Sequence, residues 1–234
     1  MQLYERLGVP CGVTAVIGSG GKTTLLRTLS RELPGTVILT TTTHILPFEG
    51  VPLLTAPTED EVRTALARSR VLCLGTPAAE GKLTAPSLPF SLLEQLADYV
   101  LVEADGSRRL PLKAHAPHEP VIPKEAGCVL CVVGARGFDR PIREAVHRPE
   151  QFCTLIGARL DEPASPALAA RALAAEGFTQ TIVLTGASEK QRSAFSAAAL
   201  QYGLRVISIE QTGRPEVRNG LFFLHKRRRP AVKW

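Results

Sequence analysis

The sequence predicts an α/β protein in which a mostly parallel sheet is flanked by helices in three layers. Short, nearly continuous apolar runs rich in β-branched residues predict strands that are covered on both faces. These runs alternate with stretches of helical composition, an order typical of repeated βαβ units. The first run enters a glycine-rich turn directly before a helix, which is the setting of a phosphate-binding loop (P-loop) in a Rossmann-like nucleotide-binding fold.

Eight runs are predicted as strands: GVTAVIG (12–18), TVILTT (36–41), RVLCLG (70–75), YVLVEA (99–104), CVLCVVG (128–134), TIVLT (181–185), LRVISI (204–209) and LFFLH (221–225). Helices are predicted between them, over residues 23–32, 59–69, 91–97, 166–176 and 188–202. Two stretches rich in turn residues, 76–89 and 105–125, are predicted as loops. Irregular segments of this length inside a compact domain are often functional.

The composition is that of a globular protein with a substantial core. The chain has 234 residues, 44% of them hydrophobic and 21% charged, which suits one domain over residues 1–234. A small C-terminal lobe from about residue 155 to 234 is the alternative. No run approaches the roughly 20 apolar residues that span a bilayer, and the N-terminus lacks a basic-then-apolar leader. We therefore expect a cytoplasmic protein with no membrane partner.

The five cysteines are an odd number in mostly apolar segments, so we expect buried free thiols rather than a disulfide framework. Cys128 and Cys131 have the spacing of metal ligands. No second Cys or His pair lies at a useful distance, which disfavours a zinc or redox site.

The net charge of +6 is concentrated at the C-terminus, where the last nine positions hold five of the 28 basic residues. We predict that this basic tail, residues 226–234, is solvated, and binding to a nucleic acid, a membrane or an acidic protein is the alternative. Nucleic acid is disfavoured because no aromatic residues interleave with the basic ones.

The stretch VTAVIGSGGKTTLLRTL predicts a short phosphate-binding loop over Gly18, Ser19, Gly20 and Gly21. Glycines let backbone amides approach phosphate oxygens, and the helix that follows adds a positive partial charge. Lys22 is expected to reach the β- and γ-phosphates, and Thr23 to offer its hydroxyl to Mg²⁺. Thr24 is expected either to support the Mg²⁺ site or to cap the helix.

Polar residues end two further predicted strands, and strand ends of a parallel sheet converge on one crevice. Thr42 lies in the run Thr40 to Thr43, and Glu103 and Asp105 follow the run YVLV. A carboxylate there is costly unless it faces metal, water or a cation. We predict Thr42 and Glu103 as further Mg²⁺ contacts, and Glu103 and Asp105 as candidates for orienting the attacking water.

The proline-rich segment after Glu103 supplies more candidates. Lys113 and His115 are predicted to receive an acidic substrate or to close over phosphates, with Lys113 a candidate catalytic residue. A solvated loop is the alternative for both. Arg108 and Arg109 are predicted to meet phosphate through their guanidinium groups, and plain exposed arginines after a turn are the alternative. A metal site made of His115, His118 and Glu119 is disfavoured because the prolines prevent a regular helix.

The segments VIGSGGKTT, TTTTHI, VEADGSRRLPLKAHAPHEPVIP, VVGARGFD and HRPEQF together resemble the YqeC family. The short glycine loop alone is similar to that of Mur ligases and folylpolyglutamate synthases. The YqeC resemblance spans residues 13–153 and implies a nucleotide-binding accessory protein of selenium-dependent molybdenum hydroxylases. It implies the same contacts for the glycines of the loop, Lys22 and Thr23, and it marks Thr42, Glu103, Asp105, Lys113 and His115.

Three functional classes follow. The first is a Mg²⁺-dependent nucleoside-triphosphate-binding protein, a slow NTPase, that serves a molybdenum hydroxylase or its cofactor-maturation machinery. The second is a Mur-like ATP-dependent ligase or a small-molecule kinase. The third is a non-hydrolysing nucleotide-binding module that binds nucleic acid or a protein through its basic tail. The chain carries TGAS where a guanine-selective site has Asn-Lys-x-Asp, so ATP and GTP both remain candidates.

Overall fold

The computed structural model describes residues 1–209. The strands in this part of the chain are β1 (Gly12–Gly18), β2 (Val37–Thr41), β3 (Leu53–Thr55), β4 (Val71–Pro77), β5 (Leu83–Thr84), β6 (Tyr99–Glu103), β7 (Leu112–Lys113), β8 (Ala126–Gly134), β9 (Val146–His147), β10 (Thr181–Thr185) and β11 (Arg205–Ile209). The helices are α1 (Leu3–Leu7), α2 (Lys22–Glu32), α3 (Glu59–Leu66), α4 (Phe90–Leu96), α5 (Ile142–Ala145), α6 (Pro149–Ile156), α7 (Pro166–Glu176) and α8 (Glu189–Leu200).

The predicted mostly parallel sheet is confirmed. Eight strands lie in the order β11-β10-β8-β1-β6-β2-β4-β3, all parallel, and β5 pairs antiparallel with β4. From β1 the chain continues to β2 on one side, whereas from β8 it continues to β10 and β11 on the other. The strand order therefore reverses between β1 and β8, and ligands of open α/β sheets bind beyond the carboxyl ends of strands at such a point.

Side chains of successive residues in β1 enter different hydrophobic clusters, because neighbouring residues of a strand point to opposite faces. Val16 packs in a cluster with leucines of α2, whereas Ile17 packs in a cluster with residues of α7 and α8. Val13 belongs to a third cluster that contains Val62 of α3 and Leu93 of α4. Helices thus cover both faces of the sheet, which gives the three predicted layers.

Most predicted elements have close counterparts, and the strands GVTAVIG and TIVLT coincide with β1 and β10. The prediction of an unbroken loop over residues 76–89 is wrong at β5, and that over 105–125 is wrong at β7. Both strands have two residues, too few for a visible alternation. No helix was predicted for α1, α5 or α6, which have four to eight residues.

The cysteines are free thiols, as expected, but they are not uniformly buried: Cys11 is exposed, whereas Cys73 and Cys131 are buried. Residues 1–209 contain no helix long and apolar enough to cross a bilayer. The predicted strand LFFLH and the basic tail, residues 226–234, lie outside the described residues.

The packing of α2 against the sheet gives a first prediction. Leu29 is fully buried in the cluster that contains Leu101 of β6, whereas Leu200, in α8, is 75% exposed. Leu29→Ala should lower the free energy of unfolding by about 2–5 kcal/mol, because it removes buried methyl groups and leaves a cavity. Leu200→Ala is the matched control and should change it by less than about 0.5 kcal/mol. Urea unfolding measures both, and equal losses would show that α2 does not pack as described.

Candidate functional site

The glycine loop lies at the carboxyl ends of β1, β8 and β10, and its path is fixed by close backbone packing. Gly20 has φ of +92°, and a Cβ atom at this residue would lie 2.5 Å from the Cα atom of Gly134. The hydroxyl of Thr185, the last residue of β10, donates a hydrogen bond of 2.6 Å to the Gly20 carbonyl oxygen. Only glycine tolerates both this conformation and this approach.

The backbone amides of the loop fall into two groups. The Gly18 amide donates to Oδ2 of Asp105 at 2.8 Å, and the Ser19 amide donates to the Val132 carbonyl at 2.8 Å. The amides from Gly20 to Thr24 find no acceptor within residues 1–209. Unpaired amides at the start of a helix form an anion-binding site, so this part of the loop is suited to phosphate oxygens.

Lys22 is the first residue of α2, and its ammonium group is buried beside two carboxylates. Its Nζ atom donates to the Gly18 carbonyl at 2.7 Å and lies 2.9 Å from Oδ1 of Asp105. Oε1 of Glu103 is farther away, at 3.9 Å. An ammonium group has three donors, so one remains for a ligand oxygen.

Asp105 is fully buried and is surrounded by donors. Besides the Gly18 amide and Lys22, its carboxylate meets Nζ of Lys113 at 3.3 Å and Nε2 of His115 at 2.7 Å. Burial alone would raise the pKa of Asp105, but the hydrogen bond from His115 and the charges of Lys22 and Lys113 outweigh it and hold the pKa at about 2. Asp105 is therefore an ionised anchor at neutral pH.

Glu103 occupies a different environment from Asp105, although only Ala104 separates them. Burial raises the pKa of Glu103, Lys22 counteracts this rise, and Asp105 adds to it. Oε2 of Glu103 accepts a hydrogen bond of 3.3 Å from the hydroxyl of Thr23. This carboxylate has few protein donors and can still take a proton or a cation.

The donor set around Glu103 fits Mg²⁺ bound together with a nucleotide. Within residues 1–209 no cluster of three or more His, Cys, Asp or Glu side chains is arranged to hold a metal ion. Mg²⁺ at phosphate sites uses one or two protein oxygens, with phosphate and water oxygens completing its octahedron. The hydroxyl of Thr23 and the carboxylate of Glu103 supply two such oxygens.

Thr42 follows β2 and also lies beside β6. Its amide donates to the Glu103 carbonyl at 3.1 Å, and its hydroxyl donates to the Val121 carbonyl at 2.7 Å. The hydroxyl of Thr41 donates to the same Glu103 carbonyl at 2.7 Å. The two threonines therefore fix the backbone of Glu103, and the role of Thr42 in Mg²⁺ binding stays a prediction.

Lys113 is buried, with three oxygen atoms around its ammonium group. The Gly106 carbonyl lies at 2.6 Å, Oε2 of Glu119 at 2.8 Å and Oδ2 of Asp105 at 3.3 Å. Burial would raise the pKa of Glu119, but Arg148 and Lys113 lower it to about 2. Lys113 thus joins Asp105 to Glu119, which in turn pairs with Arg148 at 3.1 Å.

His115 is in direct contact with Asp105, and its side chain is only 2% exposed. Its Nε2 atom meets Asp105, and its Nδ1 atom lies 2.9 Å from Oε2 of Glu176. Burial would lower the pKa of His115, but its hydrogen bonds to Asp105 and Glu176 outweigh this and raise it. With both ring nitrogens engaged, His115 is placed to orient Asp105, and its predicted contact with a nucleotide stays a prediction.

The remaining predicted residues lie at the surface. Thr24 is exposed on α2, and because Gly21 is the N-cap of this helix, the alternative that Thr24 caps it is wrong. Arg108 is exposed in the segment after β6. Sequence reasoning missed Glu176, at the end of α7. An acidic residue at a helix C-terminus opposes the helix dipole, which was a usable signal that it has a cationic partner elsewhere.

Comparisons with known proteins agree on one family. The family model described as "YqeC protein" matches residues 14–150. The chain is 36% identical over 155 residues to the "Uncharacterized protein YqeC" of Escherichia coli (strain K12), a match that covers 62% of this chain and 60% of that relative. No solved structure matches this chain. The range of the family match includes the glycine loop, Glu103 and Asp105, whereas Glu176 lies beyond it.

The buried His115 gives a prediction about pH. Because folding raises its pKa, the stabilisation it provides is fully present below its ordinary pKa near 6.5 and is lost as the pH rises through the folded-state value. His115→Gln should therefore lower the free energy of unfolding by about 1.5–3 kcal/mol at pH 5.5, and by less at pH 9. Urea unfolding at both pH values measures this, with the exposed His118→Gln as control. A loss independent of pH would contradict a protonated His115.

Proposed function

Because the chain belongs to the YqeC family, we propose that it is a Mg²⁺-dependent nucleoside-triphosphate-binding protein and a slow NTPase. One observation carries this proposal. Three groups lie at the same edge of the sheet: the unpaired amides from Gly20 to Thr24, the ammonium group of Lys22 and the pair Thr23–Glu103. A triphosphate with Mg²⁺ requires all three kinds of contact.

In this proposal each part of the site has one task. The free amides and the remaining donor of Lys22 bind the β- and γ-phosphates, and Thr23 with Glu103 holds Mg²⁺. The bound Mg²⁺ neutralises charge on the phosphates. Asp105 holds Lys22 in place, because its carboxylate lies 2.9 Å from the ammonium group.

Glu103 is the residue proposed to orient the attacking water. Asp105 already forms hydrogen bonds with a backbone amide and a histidine and ion pairs with two lysines, and its pKa is about 2, so it is a poor base. Glu103 accepts a side-chain hydrogen bond from the Thr23 hydroxyl alone within residues 1–209, so its carboxylate has lone pairs left to accept a hydrogen bond from a water. Lys113 is enclosed by its own acceptors and serves as a counter-ion.

The biological role we propose is that of a cytoplasmic accessory factor for a selenium-dependent molybdenum hydroxylase or its cofactor-maturation machinery. This proposal rests on the family resemblance, and ATP and GTP are both candidate nucleotides. A gene for a molybdenum hydroxylase beside the gene for this chain would support it. The second candidate is a Mur-like ligase or a small-molecule kinase. It is favoured by a cavity that is lined by arginines and by Gly106.

Nucleotide binding is tested by calorimetry with ATP, GTP and CTP, with and without Mg²⁺. We expect Mg²⁺-dependent binding of at least one nucleotide, and Lys22→Ala should weaken it roughly 10- to 100-fold, because a charge-assisted bond contributes about 1.5–3 kcal/mol. Lys82→Ala, which removes an exposed lysine paired with Glu80, should leave the affinity unchanged. Circular dichroism verifies that both variants fold. Absence of binding by every nucleotide would refute the proposal.

Hydrolysis is tested separately with Glu103→Gln, which keeps the size of the side chain but removes its charge and basicity. Phosphate release should fall by about 100-fold, the lower range of a general-base contribution, whereas nucleotide affinity should fall by less. Steady-state phosphate release and calorimetry measure the two quantities. Equal losses in both would make Glu103 a binding residue only.

A further inference from the structure

We propose that the cavity lined by Gly106, Arg108 and Arg143 binds a small molecule through its phosphate or carboxylate group. This site lies outside the glycine loop, so it adds a second ligand to the proposed nucleotide and does not require the nucleotide to be bound. The cavity lies between the segment after β6 and helices α5 and α6, with a volume of about 640 Å³. Cavities of this size are typical of small-molecule sites.

The lining of this cavity is basic. Its charged and titratable side chains are Arg108, Arg143, Arg148, His147, Glu119 and Glu150. Glu119 is already neutralised from two sides, by Arg148 at 3.1 Å and by Lys113 at 2.8 Å. Within residues 1–209, neither Arg108 nor Arg143 forms an ion pair. The cavity therefore presents two guanidinium groups with free donors, the groups best suited to bind phosphate or carboxylate oxygens in pairs.

The pKa of His147 is consistent with the basic lining of the cavity. Burial lowers the pKa of His147, and the charges of Lys113 and Arg148 lower it further. At pH 7 its ring is thus neutral and can donate or accept a hydrogen bond. A cavity whose charges disfavour a second cation favours an anion for the same reason.

Two of the cavity's arginines hold backbone conformations that are unfavourable for residues with a side chain. Arg108 has φ of 46° and Arg148 has φ of 66°. Such conformations persist where the surrounding structure enforces them, often at functional sites. The side chain of Arg148 is in addition held by its ion pair with Glu119.

Polar contacts connect the cavity to the glycine loop. Gly106 lines the cavity, and its carbonyl accepts from Lys113 at 2.6 Å. Lys113 pairs with Asp105 at 3.3 Å, and Asp105 pairs with Lys22 at 2.9 Å. The cavity and the glycine loop are thus linked through the buried pair Lys113–Asp105.

The test titrates pyrophosphate and succinate into the full chain and into its Lys22→Ala variant, in which the loop has lost its main cation. In Lys22→Ala we expect one anion per chain, with at least a tenfold loss of affinity when Arg108→Gln and Arg143→Gln are added, whereas the full chain should bind a further pyrophosphate at the glycine loop. Both arginines are exposed, so this variant should fold. Arg31→Gln with Arg63→Gln, a pair of exposed arginines on other helices, is the matched control and should leave the affinity unchanged.

The outcomes separate this inference from the proposed function. Binding of pyrophosphate alone would identify a phosphorylated ligand, and binding of succinate alone a carboxylate. The inference is overturned if neither anion binds, or if binding ignores the two cavity arginines. Nucleotide binding without anion binding would leave the proposed function intact, whereas anion binding without any nucleotide binding would overturn the proposed function alone. If Lys22→Ala does not fold, wild-type chain saturated with a non-hydrolysable Mg²⁺–nucleotide blocks the loop instead.

Discussion

The site depends on the contacts of one buried carboxylate, that of Asp105. It is fully buried, forms hydrogen bonds with the Gly18 amide and His115, and pairs with the ammonium groups of Lys22 and Lys113. A charge in such a place is costly unless it is fully compensated, and here the compensation comes from separate parts of the chain. The glycine loop, the first turn of α2 and the segment around β7 are all oriented by one side chain.

This arrangement separates anchoring from reactivity. Asp105 is held ionised by its donors, whereas Glu103, two residues earlier, has its pKa raised by burial. The two carboxylates are neighbours in sequence, but Asp105 is surrounded by cations, whereas Glu103 has the Thr23 hydroxyl at 3.3 Å and the ammonium group of Lys22 only at 3.9 Å. A site with two such environments can fix a lysine in place and still offer a second carboxylate to a metal ion and water.

Most of the sheet could be predicted because its strands are short apolar runs, and their ends showed where Lys22, Glu103 and Asp105 would meet. The loop at Gly18–Gly21 was visible from glycine spacing. Less predictable were contacts that join distant segments: nothing local shows that Glu176 on α7 meets His115, or that Arg148 meets Glu119. These pairings arise from tertiary packing, and strands as short as β7 and β9 leave no periodic pattern.

The contact between Gly20 and Gly134 is backbone against backbone, with no side chain between them. Side chains at an interface adjust to small displacements by changing rotamer. Two main chains in van der Waals contact have no rotamers and cannot adjust in this way. The path of the glycine loop and the path of the turn after β8, from which the chain continues to α5, therefore cannot be set independently of each other.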